Sequence, residues 1–320
     1  MANLTVAVIG PPGYAKGLGK KGTESDLTFS NLKRGSDTVT FVEPSRYPER
    51  LSSLFHAVSL SDRALVVVDA ITPEFGECAV MLHCAGITDG DLVLRNDLTA
   101  EQLQPLLRGC VLSRYRTVED HPIALRERLL AEVSRKGTPA VSDAPGALPV
   151  DHVFPVKGIG TVVLGCVAGG TIRRHDALRL LPAGKEAQVR SIQKHDDTAE
   201  EASSGVRVGM ALKGVEAGEI ERGDVLTADP AILTSREFRA TAALVPWWPA
   251  PIREGMVVHL GHWMQFLPAR VISVEAGADW RQPLLSLALD RPLVHPPGAS
   301  AVLTHLEGGK LRVAGTLLLP

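Results

Sequence analysis

The sequence predicts a multidomain α/β plus all-β protein: a mainly parallel sheet with helices, followed by two small β-barrels. Two observations carry that reading. Up to about residue 133, β-rich apolar runs alternate with segments of helical period, the pattern of βα units. From Val150 onward the texture changes to short β-type runs broken every several residues by Gly, Pro or Asp, with no long helical pattern. A length of 320 residues agrees, since it exceeds one ordinary core by the soft rule of roughly 150 residues per domain. Hydrophobic residues at 45% and charged residues at 22% describe a packed globule and exclude disorder as the default.

The elements follow in order. Residues 4–9, 38–42, 64–69 and 92–94 read as strands. Leu51, Leu54, Phe55 and Val58 recur at i, i+3, i+4 and i+7, so they form one stripe of an amphipathic helix lying on the sheet. Thr99 followed by Gln102 has the spacing of a capping box, with Leu103, Leu106 and Leu107 as the buried stripe behind it. Asp120 ahead of Pro122 opens a further helix through Leu125, Leu129 and Val133. Residues 134–149 concentrate Gly, Pro, Ser and Ala and lose all periodicity, which marks a connection. A seam near Asp229-Pro230 divides the remainder. The expected domains are therefore 1–137, 150–230 and 231–320, with a linker at 138–149. Gly158 and Gly160 around Ile159 suit a bend or bulge at a barrel corner, Arg222-Gly223-Asp224 is a turn, and residues 311–319 close the last barrel.

Charge and cysteines narrow the function classes. The formal charge of −2 lacks the field that favours polyanions, so DNA is not expected as a partner and any RNA contact needs a local patch. Cys78, Cys84, Cys110 and Cys166 form neither a C-x-x-C pair nor a dense framework, which reads as free thiols in a reducing compartment with no metal site. His259 and His262, three apart in a strand, point to opposite faces and do not make a metal pair. Residues 1–10 lack the pattern of a signal peptide, and the apolar run at 64–68 is far short of the roughly 20 residues of a span, so a cytoplasmic protein without a membrane partner is expected. Trp247-Trp248 reads as a contact between domains.

From residue 151 an ordered series of landmarks runs to residue 228: Asp151-His152-Val153-Phe154, Lys157-Gly158-Ile159-Gly160-Thr161-Val162-Val163, Gly165, Gly169, Lys194-His195, Gly205, Val208-Gly209, Lys213-Gly214-Val215 and Ile220-Glu221-Arg222-Gly223-Asp224-Val225-Leu226. This segment resembles the second domain of the elongation factor Tu family, especially its archaeal and selenocysteine-specific branches. Residues 238–320 resemble the third domain more weakly, through Pro251-Ile252-Arg253-Glu254-Gly255. The resemblance implies a GTPase-like first domain, a place in translation, and a pocket for the aminoacylated end of tRNA at Asp151, Phe154, Val156, Gln193, His195 and Arg207. In that pocket Phe154 offers a stacking face, and Gln193 and His195 offer hydrogen bonds. Asp196 departs from the pattern, standing where bacterial factors carry a basic residue.

The first domain departs further. A P-loop needs G-x-x-x-x-G-K-[ST], so that amides approach phosphate, Lys neutralises it and a hydroxyl ligates magnesium. Here the stretch is Gly10-Pro11-Pro12-Gly13-Tyr14-Ala15-Lys16-Gly17: Lys16 survives, while Ala15 and Gly17 replace the second glycine and the hydroxyl. The family's D-x-P-G-H switch falls on Glu43-Pro44-Ser45-Arg46-Tyr47, which keeps a carboxylate and loses the hinge glycine and the histidine. Its guanine-reading N-K-x-D is matched only by Arg95-Asn96-Asp97. The degenerate nucleotide-binding set is Gly10, Gly13, Lys16, Glu43, Asn96 and Asp97, with no catalytic residue; no cofactor is expected, with GTP or GDP and Mg as the alternative. Lys16, Lys20 and Lys21 could touch RNA phosphate from a polar loop over 20–26. The expected function is that of an elongation-factor-like protein without hydrolysis, a pseudo-GTPase binding aminoacyl-tRNA, the ribosome or a protein partner. The alternatives are an atypical GTPase using Lys16 and Glu43 around magnesium, and a protein-binding scaffold without nucleotide.

Overall fold

A computed structural model describes residues 3–35, 37–137, 141–194 and 197–320. Strand β1 (Asn3–Ile9) is buried along its whole length, as a central parallel strand covered on both faces must be. Strands β2 (Lys20–Glu24), β3 (Leu27–Arg34) and β4 (Asp37–Pro44) extend the sheet on one side, β2–β3 and β3–β4 antiparallel and β4 parallel to β1. On the other side β5 (Arg63–Val68), β6 (Gly90–Leu94) and β7 (Arg116–Val118) follow in parallel, giving the order β2-β3-β4-β1-β5-β6-β7. The four expected strands are β1, β4, β5 and β6. Residues 20–26, expected as a loop, instead form β2 and its turn into β3. All five residues of β2 are exposed and none has an apolar side chain, so no hydrophobic period announced it. Its backbone pairing with β3 makes it a strand, and its lysines protect the sheet edge.

Alternation along β1 sorts the helices onto two faces. Ala7 and Ile9 join the core with helices α1 (Leu51–Ser59), α2 (Pro73–Cys84) and α3 (Ala100–Leu107), whereas Leu4, Val6 and Val8 meet α4 (Pro122–Lys136). The Thr99/Gln102 capping box forms in both directions. Leu106, however, is exposed, and only Leu103 and Leu107 are buried. The cap of α4 is His121, whose Nδ1 accepts the Ala124 N–H at 3.2 Å. Asp120 is held elsewhere, as described below.

Two barrels follow, named the second and the third after their places in the chain; the second contains β8 (Ala147–Val156), β9 (Gly160–Cys166), β10 (Thr171–Arg173), β11 (Ala177–Leu181), β12 (Lys185–Lys194), β13 (Asp197–Ala199), β14 (Glu201–Ser203), β15 (Arg207–Lys213) and β16 (Val225–Thr227). Six of these close in the order β11-β16-β8-β9-β15-β12 through the β11–β12 pair, around Val163, Leu178, Val189, Ile192, Met210 and Leu226. β8 begins inside the stretch read as a connection. Gly158, at φ 80°, lies in the β8–β9 turn and Gly160, at φ 101°, opens β9, and the bulge falls instead between Val150 and His152. The third barrel is β17 (Leu233–Leu244), β18 (Val257–His262), β19 (Gln265–Glu275), β20 (Leu284–His295), β21 (Ser300–Thr304) and β22 (Val313–Leu318), closed in the order β17-β20-β19-β18-β21-β22. His262 is buried with Nδ1 3.0 Å from the Ser300 carbonyl, while His259 stacks on Phe266.

One hydrophobic core runs without interruption from α1 and α2 into the third barrel. Phe55 packs on Gly261, where an added Cβ would lie 2.5 Å from the ring, and meets Phe266 at 5.6 Å. Glu77 of α2 receives Arg312 of the third barrel at 2.5 and 3.0 Å. Trp247 sets its ring against His83 of α2, and Trp248 is buried beside His305. The second barrel joins through Arg222 to Asp26 in the β2–β3 turn (2.6 and 2.8 Å), and through Arg291 of the third barrel to Asp224 (2.6 Å).

Candidate functional site

The C-terminal ends of β1, β4 and β5 open onto a crevice of about 500 Å³, the place where open α/β sheets receive ligands. The chain leaves β1 at Gly10, which lies so close to β5 that a Cβ would meet Val67 at 2.7 Å. It then turns at Gly13 (φ 80°) into a single 3-10 turn over Tyr14–Gly17. No α-helix starts here, so the loop lacks the aligned dipole that ordinarily favours phosphate.

Glu43, at the end of β4, fills the concave side of this loop. Only 7% exposed, it accepts the Ala15 N–H at 3.2 Å through Oε1. Burial pushes its pKa up, against the backbone N–H groups of Ala15, Gly13 and Tyr14 and the charge of Lys16, which pull it down. An internal carboxylate thus sits in the amide nest that would cradle a phosphate. Lys16 is exposed and folds back along Gly13. Position 17 supplies no side-chain oxygen, and among the described residues no group of three or more His, Cys, Asp or Glu converges to hold a metal ion. These residues do not fit a magnesium nucleotide bound in the P-loop manner.

Beyond Glu43, the switch remnant still lines the crevice through Pro44, Ser45 and Tyr47. The Tyr47 hydroxyl lies 2.9 Å from the Glu74 carbonyl and 3.1 Å from Glu77, at the edge of the Glu77–Arg312 contact. Burial, then the neighbouring Cys78 and Glu77, raise its pKa, so it stays a neutral donor. Asn96 and Asp97 adopt left-handed φ of 53° and 59° at the end of β6, outside the crevice lining, and Asn96 Nδ2 donates to the Asp69 carbonyl at 3.1 Å. Beside them Tyr14 donates to Asp120 at 2.6 Å, Arg95 donates to the other oxygen at 2.7 Å, and the guanidinium lies 5.2 Å from the Tyr14 ring centre. Burial works against the Asp120 carboxylate, but these two donors outweigh it and hold its pKa low. The structure therefore brings Gly10, Gly13, Lys16 and Glu43 together and leaves Asn96 and Asp97 apart.

The proposed tRNA-end residues also divide. Asp151 is fully buried and receives Arg207 through two bonds, at 2.8 and 3.1 Å, with His152 Nδ1 at 2.6 Å. Burial opposes its charge, yet Arg207 and His152 keep its pKa low. Arg207 itself lies 4.2 Å from the Phe29 ring centre, a cation–π contact with the first domain. Both residues thus serve the junction between the sheet and the second barrel. Phe154, 39% exposed, and Gln193 stay on the outer surface, on β8 and β12, with β9 and β15 between those strands, and Val156 is half-buried. His195 lies outside the described residues, as does Asp196. Sequence reading missed Asp26, Phe29 and Glu77, the receivers of Arg222, Arg207 and Arg312. No local signal marks them, because their partners are 196, 178 and 235 residues away in the chain.

Comparison with known proteins agrees with this architecture. Residues 160–227 match the family model for elongation factor Tu domain 2. An uncharacterized protein of Methanocaldococcus jannaschii is 37% identical over 257 residues, covering 80% of this chain and 82% of that protein. Selenocysteine-specific elongation factors of M. jannaschii and Desulfomicrobium baculatum are 27% and 30% identical, over 83% and 80% of this chain. The aligned regions span 61% and 43% of the lengths of those two factors. Among solved structures, the elongation factor SelB from Methanococcus maripaludis with the GTP analogue GppNHp superposes over 100% of this chain and 79% of its own, with a TM-score of 0.84 at 23% identity.

Proposed function

We propose, given that this chain belongs to the elongation factor Tu family, that it works by binding and not by turnover. The observation that carries this reading is the Glu43 carboxylate lodged against the amides of the former P-loop. A like charge in the phosphate seat repels a polyphosphate, and the missing hydroxyl at Gly17 leaves magnesium without its anchor. Tyr47 and Arg46 stand where the family needs a histidine and a glycine, which supports loss of hydrolysis as well.

The partners that suit this reading are the aminoacylated end of a tRNA, the ribosome, or a protein partner in the cytoplasm. Phe154 and Gln193, accessible on the second barrel, support the first. The domain limits that go with it are 1–137, 150–230 and 231–320. Retention of Lys16 at the mouth of the crevice favours a second reading, an atypical GTP-binding protein.

Calorimetric titration of the nucleotide-stripped protein with GTP and GDP, with and without Mg2+ and beside a Lys16→Ala control, separates the two. No heat at millimolar nucleotide is the expected result; micromolar binding lost in the variant would overturn the first reading in favour of the second. RNA binding measured across a salt series then tests the partner, because phosphate contacts release counterions and give a steep dependence.

A further inference from the structure

Two segments far apart in the chain meet where the sheet joins the second barrel: Ser25 in the β2–β3 turn, and His152 beside Asp151 on β8. Ser25 Oγ lies 3.3 Å from His152 Nε2, and His152 Nδ1 lies 2.6 Å from Asp151 Oδ1. A hydroxyl, an imidazole and a buried carboxylate in that order are the parts of an activated nucleophile: with Nδ1–H donated to Asp151, Nε2 is left to take the hydroxyl proton. Exposure is graded in the same direction. Ser25 is exposed, the His152 side chain is 15% exposed and Asp151 is fully buried, so the attacking oxygen sits at the end that solvent and a substrate reach.

The juxtaposition is held from both sides. Arg222 ties the two segments, donating to both oxygens of Asp26, at 2.6 and 2.8 Å, and to the Asp151 carbonyl at 2.9 Å. Phe29 packs edge-on against the imidazole at 5.8 Å between ring centres, and Arg207 bridges its face to Asp151. Ser25 Oγ also lies 3.0 Å from Asp26 Oδ1 and 3.5 Å from the Leu27 carbonyl, and it accepts the Leu27 N–H at 3.3 Å. That accepted bond leaves its hydrogen able to turn between Asp26, whose carboxylate already takes Arg222, and His152. The Asp26 N–H has no acceptor among the described residues, and the amide next after a nucleophile is the one that receives an oxyanion on a nucleophile turn. Phe154, two residues beyond His152 on the same side of β8 and 39% exposed, offers an apolar platform for an acyl group.

Beyond the binding role proposed above, which denies turnover of nucleotide alone, we propose that Ser25 as nucleophile and His152 as its base form a site that hydrolyses carboxylic esters with a small apolar acyl group. Neither residue lines the crevice. Ser25 Oγ bonds to the ester carbonyl carbon as its proton passes to His152 Nε2; the C–O bond to the alcohol then breaks, and the alcohol leaves with that proton. Water, deprotonated by the same nitrogen, attacks the acyl-serine, and the acid leaves as Ser25 regains its hydrogen. An ester suits a shallow site with one amide donor, because an alkoxide leaves more readily than an amine.

The test is release of p-nitrophenol from its acetate and butyrate esters by the full chain, beside mass-spectrometric mapping of the adduct left by a fluorophosphonate, in which an Oγ–P bond forms and fluoride leaves. Saturable hydrolysis and one adduct, at Ser25, are expected. Ser25→Ala should remove both, and His152→Gln should slow both about a hundredfold, the scale of a lost general base. Circular dichroism establishes that each variant is folded; should one not be, the position of the adduct on wild type decides alone. Equal hydrolysis by wild type and folded variants, an adduct on a lysine or another serine, or neither hydrolysis nor adduct overturns the proposal.

Discussion

A carboxylate placed against backbone amides is held by fixed dipoles, and those dipoles become available when the carboxylate is removed. Glu43→Ala should therefore expose the nest beside Lys16, and pyrophosphate should bind the variant at millimolar concentration while wild type shows none, read as a shift in the phosphorus resonance. Absence of binding in both would mean that the amides do not open to the crevice. Protonation tests a different residue. His262 is buried, and desolvation pushes its pKa down from 6.5 to about 4. Folding thus disfavours its charged form: stability is complete above pH 6.5 and is lost as pH falls from there towards 4, by about 3 kcal/mol from this group. Melting temperatures of His262→Asn across that window should fall less steeply than those of wild type, and parallel curves would exclude the assignment. The positions of Lys16 and Glu43 follow from the resemblance to the family's P-loop and switch motifs. What Glu43 does was not legible, because its place in the amide nest exists only after β4 has paired with β1.

Elements were read well where their own pattern sufficed and poorly where pairing decided. The stripe of α1 and the Thr99/Gln102 cap are local, and both stand as expected. β2 has no apolar face to read, and α4 takes its cap from His121 because Asp120 is held by Tyr14 and Arg95. Leu106 illustrates the same limit: helical spacing put it on the stripe, yet it remains exposed. The packing of α1 on β18 makes a sharper prediction. Gly261→Ala would drive a Cβ to 2.5 Å from Phe55, which costs about 1–3 kcal/mol as overpacking. Denaturant titration should show that loss in wild-type background and a smaller one beside Phe55→Leu; equal losses in both would show that the ring is not the obstacle.

At the scale of the whole molecule, the Glu77–Arg312, Asp26–Arg222 and Asp224–Arg291 pairs link all three parts of the chain. Each joins a carboxylate to a part-exposed guanidinium, so breaking one costs less than the roughly 3–5 kcal/mol of a fully buried pair. Tyr47, which lines the crevice, is already committed to the Glu77–Arg312 contact, so one fixed arrangement is expected. X-ray scattering curves recorded with and without GTP and Mg2+ should superpose, and a change in radius of gyration on adding nucleotide would contradict a fixed arrangement. The continuous core has a separate consequence. Residues 3–137 and 231–320 share apolar surface that neither segment can cover alone, whereas the second barrel encloses most of its own and shares only a small cluster, Ala147, Leu181 and Val225 against Ile232 and Val294, with the third. The chain is thus a discontinuous unit carrying a passenger: the middle barrel could be excised and still fold, while deleting the last barrel would strip α1 and α2 and leave an aggregating remnant. Modularity in this protein follows shared surface, not the order of the sequence.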